Sequence, residues 1–178
     1  FFSGSDGGPS NDYCQIVNTT HFDRIEGYLE NAKGMGAKVV AGGNTDRSKR
    51  FIAPTVLCDV SMDSLVMKVE IFGPLMPIVT YKTMDEAIGF INKREKPLAL
   101  YLFSYNKKNQ KRLTEETSSG ALVFNDCVIH HTNPHLPFGG INNSGLGSYH
   151  GKYGFDAFSH ERAILKSSAL RMNKAAIV

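Results

Sequence analysis

Three apolar runs, LMPIVTY (75–81), LALYLF (98–103) and ALVF (121–124), alternate with two polar segments along the middle of the chain. Strands that are apolar throughout belong to sheets buried on both faces, and parallel strands are usually joined by crossover helices. The pattern therefore predicts an α/β fold, a doubly wound parallel sheet with helices on both faces. Ligands of such sheets bind beyond the carboxyl ends of the strands, which directs attention to the residues after Phe124.

The polar segments carry the sequence marks of helix ends. Thr83 and Glu86 form a capping box, whose hydroxyl and carboxylate can satisfy free N–H groups of a first helical turn. The second segment, 106–117, is rich in Lys, Arg and Glu and predicts a solvated helix. Nearer the N-terminus, apolar residues at helical spacing predict a helix over about 20–32 behind a threonine cap, and a short strand follows at 38–41.

Length and composition predict a soluble chain of about one domain plus a small appendage. The 178 residues are 42% hydrophobic, and 20 basic and 17 acidic residues leave a formal charge of +3 mixed along the sequence. No basic field therefore points to nucleic acid or to an anionic membrane. No apolar run approaches the ~20 residues that span a bilayer, and the turn formers at 3–9 predict a loop or ragged end.

Cysteine and histidine usage argues against disulfides and metal. The cysteines are odd in number and widely separated, without a C-x-x-C pair, which favours a reduced, intracellular setting; they are Cys14, Cys58 and Cys127. Four histidines fall within a short segment but lack metal-ligand spacing, so no metal site is predicted; they are His130, His131, His135 and His150. Cys127 beside His130 leaves two interpretations open, a reactive thiolate of a cysteine hydrolase or an ordinary thiol.

Glu70 and Phe72 stand two residues apart just ahead of the first apolar run. In an extended stretch this spacing puts both side chains on one side. A carboxylate there can accept two hydrogen bonds from a ribose diol while the ring packs against a flat nicotinamide. The alternative is a surface glutamate beside a core phenylalanine, and the pattern alone favours that alternative.

The glycine-rich segment PFGGINNSGLG (137–147) resembles a phosphate-binding loop in composition but lacks the flanking sequence of one. It follows no strand directly, lacks the Lys-Ser/Thr ending of a P-loop, and is not a dinucleotide fingerprint. The pattern instead favours a turn-rich segment in which glycines permit close backbone approach.

Five segments, taken in order, resemble the aldehyde dehydrogenases. They are EIFGP (70–74), REKPLALY (94–101), PFGGINNSGLG (137–147), SYHGK (148–152) and FSHER (158–162). The first and third are typical of the whole superfamily, and the other three resemble its class 3 and fatty-aldehyde members. The resemblance covers almost the whole chain, which is identified as a C-terminal part of such an enzyme.

The resemblance implies a set of site residues. Glu70 matches the carboxylate that holds the nicotinamide ribose in this family, and Phe72 matches the ring beside the nicotinamide. Val69 departs from the family pattern, which usually has a second acid there. Positions near the aldehyde end of the cleft are matched more weakly by four residues, namely Asn125, His131, Thr132 and His150.

The implied activity is NAD- or NADP-dependent oxidation of aliphatic, aromatic or fatty aldehydes to carboxylic acids through a thiohemiacetal. The family's nucleophilic cysteine, general-base glutamate and Rossmann cofactor domain lie upstream of the matched segments. Their contexts do not occur here, so we expect no catalytic residue in this chain, and Cys127 does not match the nucleophile. The chain is accordingly expected to be inactive by itself.

The same resemblance implies a division of the chain and an assembly. Residues 1–156 match the C-terminal part of the catalytic domain, and residues 157–178 match an oligomerisation strand and tail. The strand at 157–165 implies a homodimer through strand addition. We expect a cytoplasmic protein, with membrane association only if a further apolar tail follows residue 178. A self-standing, non-catalytic binding or assembly module is the alternative.

Overall fold

The computed structural model describes Ser10 and residues 12–166, so the predicted loop at 3–9 lies outside the described residues. The chain divides after Thr80 into two compact units. The first unit holds one long helix, one short helix and five strands: α1 (Thr19–Gly34), β1 (Lys38–Ala41), β2 (Thr45–Asp46), β3 (Phe51–Ile52), β4 (Thr55–Cys58), α2 (Leu65–Lys68) and β5 (Leu75–Pro77).

Helix α1 is the largest element of the first unit and supplies much of its core. Its inward face was predicted correctly, because its four buried residues are Phe22, Ile25, Leu29 and Ala32. The predicted threonine cap is wrong. The cap is Asn18, whose side-chain oxygen accepts a hydrogen bond from the backbone N–H of His21 at 2.8 Å, and both following threonines lie inside the first turn.

The sheet of the first unit mixes parallel and antiparallel pairs. Its order is β1-β4-β5, with β4 parallel to β5 and β1 antiparallel to β4. The predicted run 75–81 is a strand only over Leu75–Pro77. Strand β1 has the predicted bounds, whereas β4 and the small β2–β3 pair were not predicted.

The core of the first unit lies between α1 and the sheet. Ile52 and Leu57 from the strands are fully buried against α1, and Val66 and Leu75 complete the same cluster. Gly42 allows the chain to turn closely into this sheet, because a Cβ there would lie 2.0 Å from the carbonyl oxygen of Pro54.

The second unit carries the alternating pattern from which the fold was predicted. Its elements are α3 (Met84–Asn92), β6 (Ala99–Leu102), α4 (Lys107–Glu116), β7 (Ala121–Phe124), two 3₁₀ turns (Ile129–Thr132 and Asn142–Ser144) and α5 (Gly151–Ala157). Strands β6 and β7 pair in parallel, from Ala99 opposite Ala121 to Leu102 opposite Phe124. The predicted α/β class with parallel strands is confirmed.

Both predicted helix starts in the second unit are confirmed by their caps. The Thr83 hydroxyl accepts from the N–H of Glu86, and the Glu86 carboxylate reaches back to the N–H of Lys82 at 2.8 Å. Asn106 caps α4 by accepting from the N–H groups of Lys108 and Asn109. These bonds satisfy donors that a helix leaves free in its first turn.

The second unit is less completely packed than the first. Among its described residues, the buried hydrophobic side chains are Ile88 and Leu113, and every residue of β6 and β7 keeps some exposure. The prediction of a sheet covered on both faces is therefore not met within the described chain. None of the helices in the described ranges is long and apolar enough to cross a bilayer.

Candidate functional site

The loop between α2 and β5 carries the predicted cofactor residues Glu70 and Phe72. Both side chains are exposed, and the Phe72 ring is 74% accessible. Phe72 has a backbone φ of 45°, in the left-handed region that a bulky residue adopts only under constraint. The stretch is therefore not extended at Phe72, so strand alternation does not fix the relative direction of the two side chains.

Two contacts with α1 hold this loop in place. The Arg24 guanidinium donates a hydrogen bond to the carbonyl oxygen of Ile71 at 2.8 Å. Gly73 lies so close to α1 that a Cβ there would be 2.7 Å from Cδ1 of the buried Ile25. Such constraints support a left-handed residue whose strain costs of order 1–3 kcal/mol. These contacts fix the backbone beside Phe72 while its apolar ring stays exposed.

Glu70 is chemically available beside that ring. Within the part of the chain that the structure describes, its carboxylate makes no hydrogen bond or ion pair. An ionised carboxylate is a pure acceptor with two oxygens, which suits the two hydroxyls of a ribose. The exposed flat ring of Phe72, two residues after Glu70, suits a planar heterocycle. These residues therefore fit a nicotinamide riboside in their chemistry.

In the second unit, Asn125 follows β7 and uses its side chain to join the two strand ends. Its side-chain oxygen accepts from the N–H of Ser104 at 2.7 Å, and its amide nitrogen donates to the Ser104 carbonyl at 3.3 Å. Its backbone is in the left-handed region, with φ 58°. The amide therefore fixes the carboxyl edge of the sheet, and its predicted role in the substrate cleft stays a prediction.

His131 and Thr132 lie in the 3₁₀ turn after β7. The Thr132 hydroxyl donates to the carbonyl of Ile129 at 2.9 Å, whereas His131 is exposed. The ring of His131 lies 5.1 Å, centroid to centroid, from that of His150. The structure thus brings two of the four predicted cleft residues together and leaves the hydroxyl of Thr132 in a local backbone contact.

This pair belongs to a cluster of six rings, which sequence reasoning missed. The ring cluster comprises Tyr101, His130, His131, Phe138, Tyr149 and His150. Phe138 and Tyr149 also exchange both backbone hydrogen bonds, each at 3.0 Å, and so close the glycine-rich loop between them. An aromatic residue at each end of that loop was the sequence signal that could have found the pairing.

The glycine-rich loop folds back on itself, as the turn-rich interpretation predicted. A Cβ on Gly139 would lie 2.1 Å from the carbonyl oxygen of Gly147, and one on Gly140 would lie 2.1 Å from that of Ser144. Asn143 donates from its side chain to the Glu95 carboxylate at 2.8 Å. The glycines therefore serve close backbone packing.

The described residues do not form the thiol–imidazole pair that a cysteine hydrolase requires. Cys127 is exposed, with its backbone N–H donating to Asp126, and all three cysteines are free thiols. Both ring nitrogens of His130 are buried without a hydrogen-bond partner. Among the residues that the structure places, no group of three or more His, Cys, Asp or Glu side chains could hold a metal ion.

The profile of the aldehyde dehydrogenase family matches residues 3–164, nearly the whole chain. The chain belongs to this family. The prediction made from its motifs is thereby confirmed. Among curated relatives, the dimeric NADP-preferring aldehyde dehydrogenase of Rattus norvegicus is 53% identical over 95% of this chain and 36% of its own length. Aldehyde dehydrogenase family 3 member A2 of the same species is 54% identical over 92% of this chain and 33% of its own.

Solved aldehyde dehydrogenase structures share the fold. The substrate-bound state of Staphylococcus aureus AldH superposes with a TM-score of 0.81 at 47% identity, covering 92% of this chain and 35% of that one. The Mycobacterium tuberculosis aldehyde dehydrogenase complexed with NAD⁺ gives 0.79 at 28% identity, covering 91% and 34%. The chain thus spans about a third of the length of these relatives.

Proposed function

We propose that this chain is the part of an NAD(P)-dependent aldehyde dehydrogenase that contributes the nicotinamide-facing loop and one wall of the aldehyde site. The whole enzyme oxidises aldehydes, whether aliphatic, aromatic or fatty, to carboxylic acids through a thiohemiacetal. The observation that carries the proposal is the family match over residues 3–164, together with the exposed, clamped loop from Glu70 to Phe72. The named relatives include an NADP-preferring enzyme and a structure with NAD⁺.

The Glu70 carboxylate would hold the nicotinamide ribose by accepting hydrogen bonds from its two hydroxyls, and the Phe72 ring would pack against the nicotinamide. When bound, the nicotinamide cofactor supplies the acceptor for a hydride. Glu70 and Phe72 do no bond-making; they orient the ring system, and orientation of reacting groups accounts for a large share of enzymatic rate. The left-handed backbone at Phe72 is consistent with this use, since strained residues cluster at ligand clamps.

His131 and His150 line the aldehyde side, with Asn125 and Thr132 contributing from the same loop region. The pairing of His131 with His150 at 5.1 Å supports assigning both to one wall. No residue of this chain is proposed as nucleophile or general base. Those roles belong to a cysteine and a glutamate in the part of the enzyme outside this chain, as does the Rossmann domain.

In the structure, Ala157 ends α5 and residues 158–166 form no strand, so the strand expected over 157–165 is not seen in the single chain. The segment is proposed to pair with a second subunit to form a homodimer. Phe158, Ile164 and Leu165 are 95%, 72% and 94% exposed, so apolar side chains there have room for a partner. A relative carries the word dimeric in its name. The boundary between catalytic part and oligomerisation segment is placed after residue 156. The protein is cytoplasmic, with a membrane anchor only where a further apolar tail follows.

The alternative is a self-standing module that binds or assembles without catalysis. It is favoured by the second unit's exposed apolar strand residues, which would suit a protein partner as well as the rest of an enzyme. An open reading frame that starts immediately before Phe1 would support this alternative.

The test compares the complete gene product with this chain alone. With NAD or NADP and a series of aldehydes, we expect the complete protein to reduce cofactor and the isolated chain to give no turnover. Turnover by the isolated chain would show that its own residues supply the nucleophile, with Cys127→Ser then identifying it. If the complete protein oxidised none of the aldehydes, the proposed activity would be refuted.

A further inference from the structure

Phe138 occupies the centre of the ring cluster. Its ring stacks on His150 at a centroid distance of 5.5 Å and 17° between planes, and it meets His131 edge-on at 4.8 Å. It also contacts Tyr149 edge-on at 5.7 Å and His130 at 5.7 Å. Phe138 therefore contacts four of the five other rings in the cluster.

The cluster is tied to the sheet on its other side. His130 lies 5.7 Å from Phe138 and 6.0 Å from Tyr101, which belongs to β6. The two nitrogens of His130 are buried without partners, so its ring acts here as a packing surface. A continuous line of ring contacts thus runs from the parallel strands through His130 and Phe138 to His131 and His150.

Backbone bonds complete the support. The paired N–H and carbonyl groups of Phe138 and Tyr149 fix the base of the glycine-rich loop. His150, with φ 85°, directly follows this bridge and is the N-cap residue of α5. Its ring direction is therefore set by a constrained backbone on one side and by the Phe138 face on the other.

We propose that Phe138 is a positioning residue, which holds the His131 and His150 rings in the arrangement that the aldehyde wall requires. It carries no ionisable or hydrogen-bonding group, so it acts only through the rings that it contacts. The assignment rests on the proposed function for the role of the two histidines. The ring geometry itself stands independently of that function.

The kinetic test uses the complete gene product. Phe138→Leu keeps apolar volume but removes the ring faces, and each aromatic pair contributes about 0.5–1.5 kcal/mol, so KM for the aldehyde should rise about threefold to tenfold. We expect kcat and KM for the nicotinamide cofactor to stay within about twofold, because the histidines alone are displaced. Phe138→Tyr, which keeps an aromatic ring at this position, should have the wild-type KM for the aldehyde.

Phe155→Leu is the matched control, since Phe155 is an aromatic residue of the same unit that is 74% exposed. It should leave both KM values unchanged. An unaltered aldehyde KM in Phe138→Leu would overturn the proposal, as would an equal rise in both KM values. Circular dichroism of each variant checks that the fold is retained. Phe138→Met, which also removes the ring faces, provides the test if Phe138→Leu does not fold.

A second readout separates this proposal from the proposed function. In this chain, the nuclear Overhauser effects between the imidazole protons of His131 and His150, whose rings lie 5.1 Å apart, should weaken when Phe138 becomes Leu. The resonances of His21 and His160, which lie outside the ring cluster, should keep their positions. Absence of aldehyde oxidation by the complete wild-type protein would refute the proposed function, whereas weakened His131–His150 effects would still support positioning. Unchanged effects between His131 and His150 would refute the positioning role whatever the activity.

Discussion

His130 places two polar atoms among rings that offer them no hydrogen bond. Burying an unpaired polar group costs free energy, and a phenylalanine of similar shape would make the same ring contacts without that cost. The sequence suggested a loop histidine beside a cysteine, which is where a reactive pair would be expected. The ring contacts with Tyr101 and Phe138 explain the residue as part of a packed support.

Replacing His130 with phenylalanine should therefore leave the chain as stable or make it more stable, by roughly 1–2 kcal/mol, because two unpaired nitrogens are removed. His130→Ala, which also deletes the ring, should lower the free energy of unfolding by about 2–4 kcal/mol through the cavity it leaves. Urea unfolding of the three proteins measures both changes. If His130→Phe lowered the free energy of unfolding as much as His130→Ala does, the imidazole nitrogens of His130 would have hydrogen-bond partners in solution.

Helices α3 and α4 are joined by a charge network that centres on Arg112. Its guanidinium donates to Glu116 one turn along α4 and to Asp85 in the first turn of α3. The hydrogen bond from Arg112 lowers the pKa of the Glu116 carboxyl below its usual 4.5. A lowered pKa in the folded chain means that this contact adds stability above that usual value and loses it as pH falls through the folded value.

Glu116→Gln should therefore lower Tm slightly at pH 7, and the difference from wild type should become smaller as the pH falls below 4.5. The effect stays small because the pair is on the surface and screened by solvent. Glu115→Gln is the control on the same helix, since its carboxylate lies 3.9 Å from Lys111 in a looser contact. Thermal melts between pH 7 and the acid range provide the comparison, and a difference that stays constant or grows as the pH falls below 4.5 would contradict the linkage.

Elements with local signals could be predicted, and elements without them could not. Thr83 and Asn106 cap their helices with their own side chains, and the apolar runs that form β6 and β7 alternate with these helices along the chain. Strands β2 and β3 have two residues each, which is too short for a periodicity to appear. The ring cluster depends on contacts between residues far apart in sequence, which no local pattern records.

The two units of the molecule differ in how far they complete a core. The first packs α1 against its sheet with ten buried hydrophobic residues in one cluster, and the second buries Ile88 and Leu113 among its described side chains. A two-stranded parallel sheet needs cover on both faces. This difference agrees with a chain that spans about a third of its relatives' length, the rest of which is proposed to complete the second unit.

We propose that Glu70 and Phe72 form the contact surface for the nicotinamide riboside. The measurement that tests this surface is the KM for NAD or NADP of the complete gene product carrying Glu70→Gln, with Glu30→Gln as the control. Glu30 is an exposed glutamate of α1 in the same unit, paired with Lys33. We predict a rise of about tenfold for Glu70→Gln, since a hydrogen bond to a charged group contributes about 1.5–3 kcal/mol, and no change for Glu30→Gln. A cofactor KM unaffected by Glu70→Gln would mean that Glu70 does not hold the nicotinamide ribose.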